Sequence, residues 1–313
     1  MKKTVIAVIL VYLIIAGIIL LFVKDPADHV SIFHVRHDQA ILLDSTEEWF
    51  DLELYFSEVA SFFTDKANVD TIAIADDDQL ISVSLKETIR GAKTKKYDQE
   101  DHYQFYFRLQ FDQVMCLGGQ FALIDAVCTI VYQNGVTLAV PIGNLTLLYQ
   151  EISPIEHIDF TRLYGIVNPS PEGEYLAGIV IGLAKYPLGD VWLTDLETTL
   201  KNLTPDLSHC VILDEAIPPF SLASDWVAED FSPIFSEETP PFSSSILLAE
   251  ETLLLIPLCY QDQIKTIRQF PLIIHYRYLD TAYSFVMDDF LYFQGNDLVE
   301  EGAPNVWRTI YHY

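Results

Sequence analysis

The sequence predicts a mainly β chain. We expect an α+β domain with one amphipathic helix on an antiparallel sheet, then a β-sandwich-like domain, both preceded by a single N-terminal transmembrane helix. An uncharged apolar run opens the chain, one segment spaces its apolar residues as a helix does, and most other apolar segments alternate with polar residues as half-buried strands do. Hydrophobic residues make up 50% of the chain, with 17 Tyr and 19 Phe, which excludes a largely disordered protein.

The N-terminal run predicts a retained signal anchor. Residues 4–23 carry no charge, and as a helix they would be about 30 Å long, the thickness of a bilayer's hydrocarbon core. A cleavable signal has a shorter apolar run and a small-x-small cleavage site, which does not follow Val23. Because Lys2 and Lys3 precede the run, residues 1–3 are predicted to be cytoplasmic and residues 25–313 extracytoplasmic in the cell membrane. A long cleavable signal is the alternative.

The charge balance limits the partners of the exported part. All 45 Asp and Glu follow residue 24, but only 15 of the 18 Lys and Arg do. A field of this sign repels nucleic acid and anionic lipid, so we expect no nucleic-acid partner.

The first predicted domain covers residues 30–165. It begins with a strand at 30–43 and continues with a helix at about 46–66. The helix is predicted from a capping box at Ser45 and Glu48 and from a helical face with spacings of 3, 4, 3 and 4, formed by Trp49, Leu52, Phe56, Val59 and Phe63. This face packs in the core or, alternatively, binds in a partner's groove.

The rest of this domain reads as antiparallel strands. Residues 103–111 alternate strictly, with Tyr103, Phe105 and Phe107 on one face and Gln104 and Tyr106 on the other. Asn-Gly at 134–135, between two apolar runs, predicts a hairpin turn. Pro and Gly residues at 168–173 interrupt both periods and predict the domain boundary.

The second predicted domain covers residues 174–313. It contains a central strand at 251–261, a hairpin turning near residues 280–281 and a final strand at 305–313. Residues 191–203 fit a helix and a strand equally well. Residues 202–264 contain eleven Asp or Glu and no Lys or Arg, and the Pro- and aromatic-containing part at 203–245 is predicted to be a long acidic loop.

Two sets of residues are candidates for binding a partner. Five basic residues fall within eleven positions, and they could dock an anionic partner, an anionic wall polymer or an acidic second copy; they are Lys86, Arg90, Lys93, Lys95 and Lys96. The alternative is a solvated hairpin tip around Gly91. The acidic loop supplies the second set, which is Phe220, Trp226, Phe231 and Phe235.

No cofactor is expected. Asp76 to Asp78 could bind Ca²⁺ through clustered carboxylates, but the stretch lacks the spacing of a calcium loop, and a turn with solvated acids is the stronger interpretation. Cys116, Cys128 and Cys259 lie in apolar runs and are predicted to be buried thiols; one disulfide among these and Cys210, with no pairing assigned, is the alternative. Metal ligation by His34 and His37 is not expected, because residues three apart in a strand point to opposite faces.

The sequence carries no recognisable catalytic signature. The favoured hypothesis is a non-catalytic, membrane-anchored accessory or assembly component of a cell-envelope complex that binds a membrane or envelope protein. An extracytoplasmic sensor-like module for small molecules is the second hypothesis. An envelope hydrolase is the third, because 45 carboxylates leave room for a pair that the sequence does not single out.

Overall fold

The structure, a computed structural model, describes residues 29–43, 49–111, 119–149, 156–170, 173–186, 189–213, 245–261, 267–292 and 306–312. Among these residues there are eighteen β-strands and three short 3-10 turns, and none of them is in an α-helix. The mainly-β prediction is therefore confirmed. The predicted membrane anchor at 4–23 lies outside the described residues.

The first nine strands are β1 (His29–Val35), β2 (Asp38–Leu43), β3 (Trp49–Phe56), β4 (Val69–Ala75), β5 (Leu80–Tyr97), β6 (Glu100–Phe111), β7 (Gln120–Tyr132), β8 (Thr137–Tyr149) and β9 (Ile158–Ser170). The other nine are β10 (Gly173–Lys185), β11 (Val191–Thr198), β12 (Leu203–Pro205), β13 (Val211–Leu213), β14 (Ile246–Leu247), β15 (Glu251–Tyr260), β16 (Ile267–Tyr278), β17 (Thr281–Tyr292) and β18 (Val306–His312). The 3-10 turns are Phe62–Thr64, Lys66–Asn68 and Leu207–His209.

These strands form two sheets. The larger has thirteen strands in the order β14-β11-β16-β2-β8-β7-β4-β5-β6-β3-β1-β18, with β17 paired to β16. The smaller has five strands in the order β12-β15-β10-β9, with β13 paired to β15. Nearly all neighbours are antiparallel; among the described strands only the pairs of β2 with β8 and of β2 with β16 are parallel.

The larger sheet curls around a first core. Only Arg36 and His37 separate β1 from β2, yet six strands lie between them in the sheet order. The sheet must therefore bend until its β1 and β2 ends meet. The aliphatic and aromatic residues that β1 to β8 direct inward share one cluster, which includes Ile32, Phe107 and Leu145.

A second core lies between the two sheets. Ile179 of β10 and Leu254 of β15 come from the smaller sheet, and Leu272 of β16 and Phe285 of β17 come from the larger. The two sheets thus form a β-sandwich over this part of the chain, in which β15 is central because it pairs with β10, β12 and β13. The predicted division into domains at 30–165 and 174–313 stays a prediction.

Strand β2 belongs to both cores. Ile41 and Leu43 point into the first core, whereas Ala40 points into the second. At the start of the strand, the buried Asp38 carboxylate accepts hydrogen bonds from the Asn144 backbone N–H (3.1 Å) and Nδ2 (3.0 Å) and from Asn202 Nδ2 (3.1 Å). One side chain therefore ties together segments that are far apart in the sequence. Both asparagines belong to Asn-x-Thr sequences.

The predicted helix at 46–66 is wrong. Residues 49–56 form β3, and Phe50, Leu52, Leu54 and Phe56 are buried on one face of it. The segment carries both periods, and pairing along the whole of β3 with the aromatic face of β6 selects the period of two. Val59, which the helical face would bury, is exposed. An α+β architecture for this part of the chain is thus not supported.

Other strand predictions are confirmed. Phe105, Phe107, Leu109 and Phe111 of β6 face the core, and Gly135 turns between β7 and β8 with a φ of +82°. The ambiguous segment at 191–203 contains β11, in which a bulge after Leu193 produces the spacing that resembles a helix. The hairpin of β16 and β17 turns between Tyr278 and Thr281, as predicted.

The single strand predicted at 30–43 is two strands. Gly143 (φ +90°) packs against the bend between them, where an added Cβ would lie 2.5 Å from the His37 carbonyl oxygen. This bend lets β1 and β2 join different neighbours.

Candidate binding surface on the β5–β6 hairpin

The predicted basic residues lie on one hairpin. Strands β5 and β6 are joined at Asp98 and Gln99, whose positive φ angles of 52° and 63° match a two-residue hairpin turn. Between Arg90 and Thr94 the register of β5 shifts by two residues against β6, so the hairpin bends near Gly91. We call residues 86–103 the basic arm. The turn lies at residues 98–99, so the position predicted for the hairpin tip, around Gly91, is wrong, whereas the solvated interpretation of these charges stays a prediction.

Three of the five predicted basic side chains lie over aromatic rings. Lys86 Nζ is 4.2 Å from the ring centroid of Trp49, and Lys95 Nζ is 5.2 Å from that of Tyr55. The third is Arg90, whose Cζ is 5.5 Å from the ring centroid of Tyr103. Of the other two basic residues, Lys93 donates its backbone N–H to Gln104 Oε1 at 3.4 Å, and Lys96 is exposed. A cation over a ring keeps its full charge for other ligands.

The five residues do not form one flat patch. Arg90 is opposite Phe105 and Lys95 is opposite His102 in the register of β5 and β6. His102 and Phe105 are three positions apart on β6 and therefore point to opposite faces. Arg90 and Lys95, which lie opposite them on β5, do the same, so the arm presents cations on both faces. The sequence placed these charges on one hairpin but could not show this division.

Acidic residues near the base of the arm are already paired. Arg108 donates to both oxygens of Asp51 (Nε 3.0 Å, Nη2 3.1 Å) and to Glu87 Oε1 (2.8 Å). The hydrogen bond to Asp51 raises the pKa of Arg108, which therefore stays charged and holds both carboxylates. Glu87 thus has a partner outside the set of predicted basic residues.

An acidic residue of the turn, Asp98, is paired in the same way. Asp98 accepts from Arg308 Nη1 at 3.0 Å, and Glu100 lies 3.8 Å from His29. Arg308 Cζ also lies 4.9 Å from the ring centroid of Tyr97. Among the described residues, Lys86, Arg90 and Lys96 have no carboxylate within salt-bridge distance, so their charges are available to a ligand.

A small aromatic cluster holds the arm against the body. Phe33 stacks on Tyr55 (4.6 Å between centroids) and on Tyr97 (5.3 Å), and the fully buried His102 meets Phe33 edge-on. Burial lowers the pKa of His102. Gln104 is also buried and donates to Glu53. The arm is therefore a rigid support for its cations.

The sequence did not identify Trp49 or Arg108 as part of this surface. Trp49 was assigned to a helical face, although an alternation with apolar residues along the same strand could have placed it, together with Asp51, Glu53 and Tyr55, on the face of β3 that meets Arg108. The other predicted contacts, Phe220, Trp226, Phe231 and Phe235, lie outside the described residues.

The Asp76 carboxylate stabilises a turn through hydrogen bonds. Its carboxylate accepts from the backbone N–H groups of Asp78 (2.9 Å), Gln79 (2.7 Å) and Ile124 (3.1 Å). These bonds, that of Ile124 above all, lower the pKa of Asp76. In the part of the chain that the structure describes, no three His, Cys, Asp or Glu side chains are grouped as a metal site. Calcium binding at Asp76 to Asp78 stays a prediction.

The described cysteines are thiols. Cys128 and Cys210 are buried, whereas Cys259 is exposed, so the prediction of burial is wrong for Cys259. Desolvation raises the pKa of Cys128 to about 12 and that of Cys210 to about 11, so neither is an activated nucleophile at neutral pH. Cys116 lies outside the described residues.

His34 and His37 lie closer together than their spacing suggests. Their ring centroids are 6.4 Å apart, and the rings are nearly perpendicular. The bend between β1 and β2 brings them together. His34 Nδ1 lies 2.7 Å from the carbonyl oxygen of Glu53.

Comparisons with known proteins give no family. No protein-family model and no curated protein matches the chain. The D00-D0 domain of intimin is 9% identical, with a TM-score of 0.20, over 84% of this chain and 99% of that one. The C-terminal domain of BspA, an AgI/II polypeptide of Streptococcus agalactiae, is 9% identical, with a TM-score of 0.18, over 81% of this chain and 98% of that one. The BSP domain of a biofilm associated protein is 9% identical, with a TM-score of 0.21, over 84% of this chain and 59% of that one.

Likenesses at these TM-scores carry no argument about function, which must come from the surface itself. Among the described residues, no helix is long and apolar enough to cross a membrane.

Proposed function

We propose that the chain is a membrane-anchored, extracytoplasmic and non-catalytic component of a cell-envelope complex, and that the basic arm binds an anionic partner in that complex. The anchor and the location rest on the uncharged run at 4–23 and on Lys2 and Lys3 before it. The binding role rests on the arm.

The single observation that carries the proposal is the state of the arm's charges. In a chain with a formal net charge of −27, carboxylates are abundant, yet Lys86 and Arg90 lie over aromatic rings. Ring contacts orient a cation without neutralising it. The neighbouring acids Glu87 and Asp98 are held by Arg108 and Arg308. This arrangement favours an anionic ligand and attracts it at a distance.

The test uses the full chain in its own cells. Crosslinking, mild detergent extraction, affinity recovery and mass spectrometry would compare the wild type with the triple variant Lys86→Glu, Arg90→Glu and Lys96→Glu. We expect the wild type to recover a stoichiometric envelope partner, with recovery falling as the salt concentration rises. The triple variant should recover at most about a tenth of it.

A matched control carries the same change of charge elsewhere. Arg162, Lys201 and Arg277 are exposed and lie outside the arm, and their reversal to Glu should leave recovery unchanged. Recovery of the wild type alone, or equal losses in both triple variants, would contradict the proposal. In that case the purified chain should be screened for small-molecule ligands and for hydrolysis of glycans and peptides.

A further inference from the structure

A second exposed surface lies at the end of the sandwich. His157 stacks on Tyr278 with 4.4 Å between centroids and lies 4.7 Å from the ring of Tyr283. Tyr186 donates its backbone N–H to the His157 carbonyl at 3.1 Å. Tyr186 and Leu279 are 65% and 66% exposed, the highest values among the large apolar side chains of the described residues. We call these five residues the tyrosine patch.

The patch is held in shape by its surroundings. The Tyr186 hydroxyl donates to the Asp159 carboxylate, which fixes the position of the exposed ring. Gly189 packs against the turn, because an added Cβ there would lie 2.9 Å from Tyr278 and 3.6 Å from Leu279. Exposed aromatic and aliphatic groups that are fixed in this way are typical of binding surfaces rather than of ordinary solvent-facing positions.

The charge around the patch is negative. Four exposed carboxylates adjoin it by contact or by sequence; they are Glu156, Asp159, Asp190 and Asp280. One cation, Lys185, lies beside the patch, where its Nζ donates to the Gly189 carbonyl at 3.3 Å, so the carboxylates outnumber it. Arg277 points away from the second core, into which the adjacent Tyr276 points. Aromatic rings surrounded by carboxylates bind cations through ring contacts and ion pairs.

The chain itself carries a surface of the matching kind. On the basic arm, Lys86, Arg90 and Lys96 have no carboxylate within salt-bridge distance among the described residues. Strand β16, which ends at the patch, runs in the same direction as β2 and β8. Three antiparallel pairings, β8 with β7, β7 with β4 and β4 with β5, give β5 the opposite direction, and β5 runs into the arm. The arm and the patch are therefore at opposite ends of the larger sheet, and a contact between them must join two copies.

We infer that the basic arm of one copy binds the tyrosine patch of a second copy. The two surfaces are different, so the contact is heterologous and each bound copy leaves one arm and one patch available for further copies. The chain would thus assemble head to tail along the membrane. The inference deepens the proposed function, since it names the anionic partner of the arm as another copy of this chain.

The experiment measures self-association of the full chain in detergent by sedimentation velocity over a range of concentrations. The wild type should form oligomers that dissociate at about 1 M salt, where surface charges are screened. Two variants should each self-associate at least about tenfold more weakly: the arm variant (Lys86→Glu, Arg90→Glu, Lys96→Glu) and the patch variant (Asp190→Lys, Asp280→Lys). A matched control with Asp70→Lys and Asp77→Lys, which are exposed elsewhere, should behave as the wild type.

Mixing the two variants gives the sharpest result. In a mixture, the unchanged arm of the patch variant can bind the unchanged patch of the arm variant, and the reversed arm can bind the reversed patch, so oligomers that contain equal amounts of the two variants should form. A chain that carries both sets of substitutions should regain self-association, because the charges are exchanged.

The outcomes separate this inference from the proposed function. A monomeric wild type, or variants that associate as the wild type does, overturns the inference. If one of these results is found and the arm variant loses a different envelope protein in cells, the proposed function stands while the inference falls. Loss of self-association without any other envelope partner would support the inference and would limit the proposed complex to copies of this chain.

Discussion

The two cores are closed in different ways. In the first, a single sheet curls until β1 and β2 meet, and aliphatic side chains together with aromatic ones such as Phe56 and Phe107 fill the enclosed space. In the second, a separate sheet covers the larger one, and aliphatic side chains such as Ile179 and Leu254 dominate. Both cores are therefore mostly aliphatic, and what differs is the closure: a sheet that curls on itself encloses its own core, whereas the other part of the sheet is covered by a second one.

The largest effect should come from opening a cavity in either core. Phe107→Ala and Leu254→Ala remove fully buried side chains from the first and the second core, and each should lower the free energy of unfolding by about 3–5 and 2–5 kcal/mol, respectively. Because β2 contributes to both cores, we expect both variants to shift one common transition in urea denaturation. Leu80→Ala, at an exposed position, is the control and should change stability by less than about 0.5 kcal/mol. Two separate transitions would show that the cores unfold independently.

Asp38→Ala should have the next largest effect, because it breaks the link between the cores. Three donors of Asn144 and Asn202 lose their acceptor, at a cost of roughly 1–3 kcal/mol for each donor that stays buried, so we expect a loss of about 3 kcal/mol. The measurement is the free energy of unfolding by urea. Asn202→Ala should cost less alone and almost nothing in the Asp38→Ala background, as a double-mutant cycle would show. Additive losses would contradict a shared network.

A smaller, pH-dependent effect is expected where the arm meets the first core. Burial lowers the pKa of His102 from 6.5, with Arg308 adding to the shift and Glu100 and Asp101 opposing it. Below about pH 6.5 the unfolded chain therefore binds a proton at His102 that the folded chain excludes, and stability falls as the pH drops. His102→Phe should weaken this dependence, measured as the difference in unfolding free energy between about pH 7 and pH 5. An equal difference in both proteins would remove His102 as its source.

The smallest effect should come from the arm's own cations. Lys86→Met removes the ring contact with Trp49, which is worth about 0.5–1 kcal/mol at an exposed site, so stability should change little. Lys201→Met, at another exposed lysine, should be neutral. If Lys86 serves binding, its loss should reduce recovery of the partner at low salt while the melting temperature stays nearly constant. A large loss of stability would instead assign Lys86 to the fold.

Local alternation determined much of this fold. It was sufficient for β6, for the turn at Gly135 and for the hairpin of β16 and β17, because each depends on neighbours in the sequence. It failed for β3, whose residues fit a helix and a strand alike until β6 supplies a pairing partner. It failed again at β1 and β2, since the bend that divides them depends on Gly143, about a hundred residues further along.

The candidate surface shows the same division. The sequence by itself determined that five basic residues fall within eleven positions of an acidic chain, because charge density is a local property. Only the tertiary structure decided which of those charges remain available, since that depends on Trp49, Arg108 and Arg308, which come from other strands. The link through Asp38 and the tyrosine patch were equally hidden, because hydrogen bonds and ring contacts between distant strands leave no period in the sequence. Periodicity reports the face on which a residue lies, whereas only the pairing of strands determines what that face meets.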